Sequence, residues 1–433
     1  MRLPWPLPVA GAATVPGGYL GVADYLGLPM IELAPFPAAV IFGGAIVGAA
    51  FLLSWAAEAA EVDVSAGVAL AFLAFLAVLP EYGVDFVFTL RAGRTFAEQG
   101  HCAGADDPCS LALANMTGAN RVLVGVGWPL VVLIAGLIAR RHPRRTQQEP
   151  SVPAPGHVRL AATMSVEVVF LGVATVYSLT LPLRHSLTLV DAVVLVSLFV
   201  LYAWRLSKAP VEEPELAGTS AWVADKQRTH RRRWLIALFL LAAVVIVATA
   251  EHFADAVVDT GERLSIDRFL LVQWAAPVAS EAPELIVACL YAWRLRASQA
   301  LGTLLSSKVN QWTLLVGTIP IVFAVSSASL HGLPLSEHQR YELLITAAQS
   351  LFAVSLLIDL RLSQWGSAAL IGLFLVQFAA SILLSDAANR LVLLVLSAVY
   401  LAGAVVLFVR DRRPARAVLR DGLVADLKTV KEY

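Results

Sequence analysis

The chain has 433 residues; 58% are hydrophobic and only 15% are charged. Soluble domains are about one quarter charged, so a water-soluble globular protein is excluded. Acidic and basic side chains balance to a formal net charge of zero, so no nucleic acid or other polyanion is implied as a partner.

Residues 1–36 are rich in Pro and Gly and contain one arginine, Arg2. They lack the basic start and compact apolar core of a cleavable signal peptide. They are expected to form an external segment that for the most part does not span. Beyond them, apolar runs approach or exceed the ~20 residues that cross a bilayer as a helix. Eleven are read, near 37–57, 65–90, 110–139, 159–181, 187–206, 234–257, 267–293, 303–328, 342–359, 367–385 and 391–409. The fold class is all-α, a polytopic membrane protein. Lys and Arg concentrate on the side that carries Arg140, Arg141, Arg205, Lys208, Arg231 to Arg233, Arg294 and the tail after Arg410. The bias of cytoplasmic loops toward basic residues then places the N-terminus outside and the C-terminus in the cytoplasm of a multi-pass cell-membrane protein.

Along the chain, span 2 contains "LAVLPEYGVDFVF" (76–88), with Pro80 followed by Glu81 and, four residues on, Asp85. The loop after it, "GHCAGADDPCS", places Cys102 and Cys109 on the external side, where a disulfide persists; two unpaired thiols are the alternative. Span 3 opens with "ANMTGAN" (114–120), continuing to Arg121 and closing at Pro129. Span 7 repeats the proline–acid pair in "SEAPELIVACLY" (280–291), with Glu281, Pro283 and Glu284; Cys289 there reads as a small apolar filler. Span 8 contains "SKVNQWTLLVGTIP" (307–320), polar then apolar and ending in Pro, like span 3. Further echoes join 52–63 to 246–259 and 191–203 to 367–379.

These echoes divide the chain into a first repeat, 37–206, a linker, 207–233, a second repeat, 234–385, and an extra helix with a basic tail, 386–433. Five spans per repeat is an odd number, so the repeats enter the membrane from opposite sides. Inverted repeats of that kind are a transporter architecture with its site at the midplane.

The polar residues inside the spans point to chemistry. Proline removes a backbone hydrogen bond from the carbonyl four residues back, which here frees the carbonyls of Leu76 and Ala279. An ionised carboxylate at the bilayer centre costs about 2.5–3.5 kcal/mol even on lenient scales, so such groups line a pathway. Carbonyl and carboxylate oxygens together suit a hard cation such as sodium or calcium. Glu81 with Asp85, and Glu281 with Glu284, are spaced to share a helix face, as are Thr117, Asn120 and Arg121, and Ser307, Asn310 and Gln311. Crowded carboxylates resist full ionisation and can carry protons. Arg121 and Lys308 are expected to offset part of the charge; a carboxylate paired to one of them is the alternative for Asp85 and Glu281. Glu58, Glu251 and Asp255 lie near helix ends as candidates for a vestibule or a proton route. Glu167 reads as a partner of Arg159 or solvent, and His252 as a relay or a local partner of Glu251.

At these residues the chain resembles the cation/calcium exchanger superfamily, which includes sodium/calcium exchangers. Its two inverted five-helix halves each carry a Gly-Thr-Ser-x-Pro-Glu type motif and then a helix opening Gly-Asn-x-x-Gly-Ser-Asn. The resemblance implies that Glu81 and Glu284 are the central cation ligands, joined by Asn115 and Asn120 from "ANMTGAN". In "GTLLSSKVN" (302–310) two registers stay open. Counting from Gly302 puts Thr303 and Lys308 at the family's asparagines, whereas aligning the closing glycines pairs Asn310 with Asn120. "LAVL" (76–79) replaces the hydroxyl-bearing residues of the first motif, while Ser280 remains in the second. The fixed charges of Arg121 and Lys308 also depart from the pattern. An ammonium there would stand in for a bound sodium and weaken divalent binding.

The resemblance thus implies a secondary cation antiporter of alternating access, moving Ca2+ or Na+ against Na+ or H+, with inorganic cations and the bilayer as partners and no cofactor beyond the transported ions. The competing readings are a polytopic membrane enzyme, for which no HExxH, GxSxG or phosphate-loop motif is present, and a passive cation channel.

Overall fold

Backbone in hydrocarbon must satisfy its N–H and C=O groups within the segment, and the long apolar runs accordingly fold as helices. The computed structural model describes residues 3–29, 31, 33–60, 62–63, 79–102, 108–141, 156–208, 216, 218–264, 266, 268–425 and 427. The expected span 65–90 lies outside the described residues up to 78, together with the Leu76 carbonyl.

Two compact units divide the chain. One comprises Met1–Met116, Val211–Pro283 and Val325–Ala328; the other comprises Thr117–Pro210, Glu284–Ala324 and Ser329–Tyr433. The elements in chain order begin with α1 (Pro6–Tyr25), α2 (Pro35–Ala60), α3 (Leu79–Gln99), α4 (Pro108–Leu111) and α5 (Ala114–Val122). A π-helical turn, Leu123–Gly127, leads into α6 (Trp128–Arg141), followed by β1 (His157–Arg159), α7 (Ser165–Ser178), β2 (Ser186–Leu187) and α8 (Leu189–Leu206). After α9 (Thr219–Ala224) come α10 (Arg228–Leu264), α11 (Arg268–Trp293) and α12 (Ala297–Asn310). A second π-helical turn, Gln311–Leu315, precedes α13 (Val316–Ser326) and β3 (Leu333–Pro334). The chain closes with α14 (Glu337–Leu356), β4 (Arg361–Ser363), α15 (Gln364–Leu383), α16 (Asp386–Arg410) and α17 (Arg412–Leu423).

Eight helical stretches among the described residues are long and apolar enough to cross a membrane: 35–60, 108–141, 162–183, 189–206, 228–264, 297–326, 364–383 and 386–410. Each coincides with an expected span. The expected spans 267–293 and 342–359 correspond to α11 and α14, which are helical but are not among the eight. In α14 the reason is a polar first turn, Glu337 to Arg340, and a buried stripe of Gln339, Glu342, Thr346, Gln349 and Ser350.

Residues 6–25 of the expected external segment form α1. Small residues let α1 approach α2 closely: a Cβ on Gly17 would meet the Ala45 Cβ at 2.7 Å, and one on Gly48 would meet the Ala10 carbonyl at 2.7 Å. The core of this unit buries Ala45, Ala49, Leu52 and Leu53 of α2 against Leu238, Ala242 and Val245 of α10. A second cluster joins Ile46, Val84 and Phe88 to Phe253 and Val272.

In the other unit two short antiparallel ladders tie loops together. His157 pairs with Ser363 and Arg159 with Arg361, while Ser186 pairs with Pro334 and Leu187 with Leu333.

Candidate cation-binding site

Pro80 lies in α3 directly before Glu81. Glu81 is fully buried, as is Asp85 one turn on. The second proline–acid helix, α11, runs on through Pro283 without interruption. The carbonyl of Ala279, which loses its usual N–H partner to Pro283, therefore sits within a continuous helix and not at a break. Ser280 and Glu281 on this helix are fully buried.

The two acids meet. Glu81 and Glu281 present carboxylate oxygens within 4.8 Å of each other. Glu284 stands one turn past Glu281 on α11, with an oxygen within 4.8 Å of it, and is partly exposed. Two ionised carboxylates 4.8 Å apart repel by about 3.5 kcal/mol at an effective dielectric near 20. Such a group is stable when a cation or protons neutralise it, and its oxygens are the ligands that hard cations prefer.

Asp85 has a different task in this geometry. Its Oδ1 accepts a 3.0 Å hydrogen bond from Asn115 Nδ2, and the Met116 amide also donates to its carboxylate. Asp85 thereby caps the N-terminus of α5, where unsatisfied amides and the helix dipole favour a negative charge. Its Oδ2 has no hydrogen-bond partner among the described residues.

The remaining candidates belong to the second unit. Asn120, Arg121, Lys308 and Gln311 are fully buried, and Ser307 and Asn310 nearly so. Lys308 Nζ donates a 2.7 Å hydrogen bond to the main-chain carbonyl of Asn120, joining the two polar helices α5 and α12 directly. Each of these helices gives way to a π turn within three residues of an asparagine, Asn120 or Asn310. Single π turns inside α-helices are frequent at functional sites. Arg121 pairs with an acid of α14. Its NH1 lies 2.5 Å from Glu342 Oε2 on α14, both side chains being buried, and its Nε donates to the Thr117 carbonyl at 3.0 Å. His338 Nε2 approaches the other Glu342 oxygen at 3.8 Å.

Glu342 was not a candidate in the sequence. The signal was there in the spacing of Gln339, Glu342, Thr346, Gln349 and Ser350, which places them on one face of a helix. It was hidden because the segment was read only for its apolar length.

The outlying acids are in structural pairs. Glu58 accepts from Ser220 Oγ at 2.6 Å and Ser54 Oγ at 3.4 Å. Glu251 lies 3.0 Å from Arg91 NH2, and Asp255 makes a two-pronged pair with the same guanidinium. His252 stacks on Phe42 with 5.1 Å between centroids and approaches Asp24 at 3.6 Å, so its partner is not Glu251. Glu167 is buried and makes no ion pair with Arg159, which lies in β1 opposite Arg361. Cys102 and Cys109 form a disulfide with Cα atoms 6.0 Å apart, and Cys289 is a half-buried free thiol.

The family profile described as "Sodium/calcium exchanger protein" matches residues 36–208 and 234–383. None of the curated proteins matches the chain. Among solved structures, that of the H+/Ca2+ exchanger CAX is similar over 96% of this chain and 97% of its own, at 37% identity and a TM-score of 0.83. The Ca2+/H+ antiporter YfkE is similar over 87% of this chain and all of its own, at 14% identity and a TM-score of 0.55. The sodium-calcium exchanger NCX_Mj is similar over 84% and 99%, at 14% identity and a TM-score of 0.50. At those identities the last two likenesses speak for the fold alone. With buried acids inside the spans and a profile covering both stretches, the chain belongs to the sodium/calcium exchanger family.

Proposed function

We propose that the protein is a secondary antiporter that exchanges Ca2+ for H+ by alternating access, using Glu81, Glu281 and Glu284 as the shared cation- and proton-binding group. The observation that carries this is the pair of buried carboxylates, Glu81 and Glu281, whose oxygens approach within 4.8 Å, with Glu284 one turn along the helix of Glu281. One divalent ion or two protons neutralise the same charge, so binding of one displaces the other, and that competition is the coupling. The likeness to an H+/Ca2+ exchanger at 37% identity over nearly the whole chain supports the choice of ions. The two profile matches, 36–208 and 234–383, nearly coincide with the expected repeats, 37–206 and 234–385, and support the inverted five-helix halves that alternating access uses.

Asn115, Asn120, Ser307 and Asn310 are the proposed neutral oxygen ligands or their supports, with Asp85 fixing Asn115. Asn310 is taken as the counterpart of Asn120, since each precedes a π turn by one to three residues. Lys308 supplies a built-in cation, while the charge of Arg121 is offset by Glu342. The decisive test uses purified protein in sealed vesicles, with a pH dye inside and an inward Ca2+ gradient. Antiport predicts proton efflux that needs Ca2+ outside and stops when Glu81, Glu281 or Glu284 is changed to Gln. Ca2+ entry without any counter-ion would show a channel. Lys308→Met is expected to raise Na+ dependence at constant pH; an unchanged ion preference removes Lys308 from the account.

A further inference from the structure

In the second unit, α6 and α15 together form a groove that the cation site leaves unused. It measures about 280 Å3; a single water needs about 10–15 Å3, so it holds far more than a structural water. Its walls are Pro129, Leu133 and Leu137 of α6 and Ile371 of α15, with Val126 of the π turn at the inner end. Leu133 and Leu137 are exposed, and both helices belong to stretches apolar enough to cross a membrane, 108–141 and 364–383. The groove therefore opens on a surface that meets lipid.

One end of the groove is polar. Arg140, next to last in α6, lines it with Gln364, the first residue of α15, and with Gly156 and Ser367. Gly156 has φ +83°, and a Cβ on it would meet Gln364 Oε1 at 2.8 Å, so a side chain at 156 would collide with Gln364. Trp365, beside Gln364, is exposed, as aromatic residues at a membrane–water interface are. Ser367 is 6% exposed, and its Oγ has no hydrogen-bond partner among the described residues. A buried hydroxyl without a partner is costly, and a ligand oxygen in the groove would relieve that cost. Arg140 is exposed, and among the described residues that line the groove none is acidic.

Depth and charge together select the occupant. From Arg140 to Pro129 the helix runs about 16 Å at 1.5 Å per residue, the depth of one leaflet of a ~30 Å hydrocarbon core. Ser367 lies about 4.5 Å deeper than Gln364 on the same scale, and in a phospholipid the ester carbonyls lie just below the phosphate. We propose that the groove binds an anionic phospholipid. One acyl chain lies between α6 and α15, the phosphate meets the Arg140 guanidinium, and an ester carbonyl accepts a hydrogen bond from the Ser367 hydroxyl. Arginine holds phosphate through charge-assisted N–H···O bonds, and basic pockets between membrane helices suit lipid head groups. A zwitterionic lipid would bring its own ammonium beside Arg140, and a soluble anion would make no use of the apolar walls. The site stands apart from the antiport reading and does not depend on it.

Native mass spectrometry of the full-length protein tests this, after delipidation in detergent and titration with phosphatidylglycerol or phosphatidylcholine of identical chains. In wild type the first phosphatidylglycerol should bind about five-fold more tightly than phosphatidylcholine, the factor for one basic residue near anionic lipid. Arg140→Gln should abolish that preference and leave the weaker binding in place. Ala368 is exposed and lines the groove, so Ala368→Trp should fill it and remove binding of both lipids. Ser367→Ala should weaken both about five-fold through loss of one hydrogen bond, and it carries the test if Ala368→Trp does not fold. Glycerol phosphate, a head group without chains, should leave the bound lipid in place. Equal binding of the two lipids by wild type, an unchanged preference in Arg140→Gln, or wild-type binding in both Ala368→Trp and Ser367→Ala overturns the inference. Displacement by glycerol phosphate would make this a soluble-anion site, and a dimer that Ala368→Trp separates with lipid binding unchanged would give the groove to a second copy; either result overturns it.

Discussion

Changing Glu342 to Gln would remove the carboxylate that neutralises the buried Arg121 guanidinium inside the second unit. The pair is close, 2.5 Å, and the two side chains are 0% and 3% exposed, so water does not replace the lost carboxylate. Removing one partner of a buried ion pair costs about 3–5 kcal/mol, and an unpaired arginine at the centre of a membrane helix costs about 2.5–3.5 kcal/mol on insertion scales. The two agree near 3 kcal/mol. Replacing both partners with apolar residues of similar size, Arg121→Met with Glu342→Leu, removes the uncompensated charge and should recover most of the loss. The assay is unfolding of purified protein in mixed micelles by titration with denaturing detergent, run as a double-mutant cycle. The account predicts a single-mutant loss of about 3 kcal/mol and a double mutant closer to wild type than either single. A loss below about 1 kcal/mol for Glu342→Gln, the range of exposed pairs, would refute the claim that this pair holds α14 to α5.

Three further outcomes are expected. Asp63, outside the spans, accepts a hydrogen bond from Arg231 that holds its carboxyl below the usual 3.8 despite opposition from burial. Its contribution is present above pH 4 or so and is lost as pH falls through the lowered value. Asp63→Asn should therefore flatten the acid limb of a stability–pH curve, with the variant and wild-type curves converging as pH falls. Gly422→Ala places a methyl against the Ser165 carbonyl and Val169 and should cost about 1–3 kcal/mol, read as faster protease cleavage after Arg410 in the folded protein. The Cys102–Cys109 bond closes a short loop, with a sequence separation of 7, worth about 2.5 kcal/mol by loop entropy. Before reduction only Cys289 should label with maleimide in the unfolded chain, and Cys109→Ser should lower stability by about that amount.

The spans were legible because hydrocarbon forces apolar length and internal hydrogen bonding on every crossing segment. The proline–acid pairs were legible because a charge in such a run is costly and rarely decorative. Glu81 and Glu281 present oxygens within 4.8 Å of each other, whereas the echoed stretches pair Glu81 with Glu284. What sequence spacing could not supply was the pairing of groups far apart in the chain. Arg121 stands among acids in any local reading, yet its partner, Glu342, comes from a helix more than two hundred residues on. Asp85 looked like a second ligand because it shares a face with Glu81, but the Asn115 amide and the Met116 N–H give it a capping task. Residues 6–25 gave weak helical cues because of their Pro and Gly, and those same small residues are what let α1 lie against α2.

The central claim is that the carboxylates of Glu81, Glu281 and Glu284 hold Ca2+ and protons in turn. Calorimetric Ca2+ titrations of the purified protein, repeated in buffers of different ionisation enthalpy, count the protons released per ion bound. The account predicts between one and two protons released per Ca2+ near neutral pH, with both binding and release lost in Glu281→Gln. Ca2+ binding that releases no protons, or that survives Glu281→Gln unchanged, would contradict it.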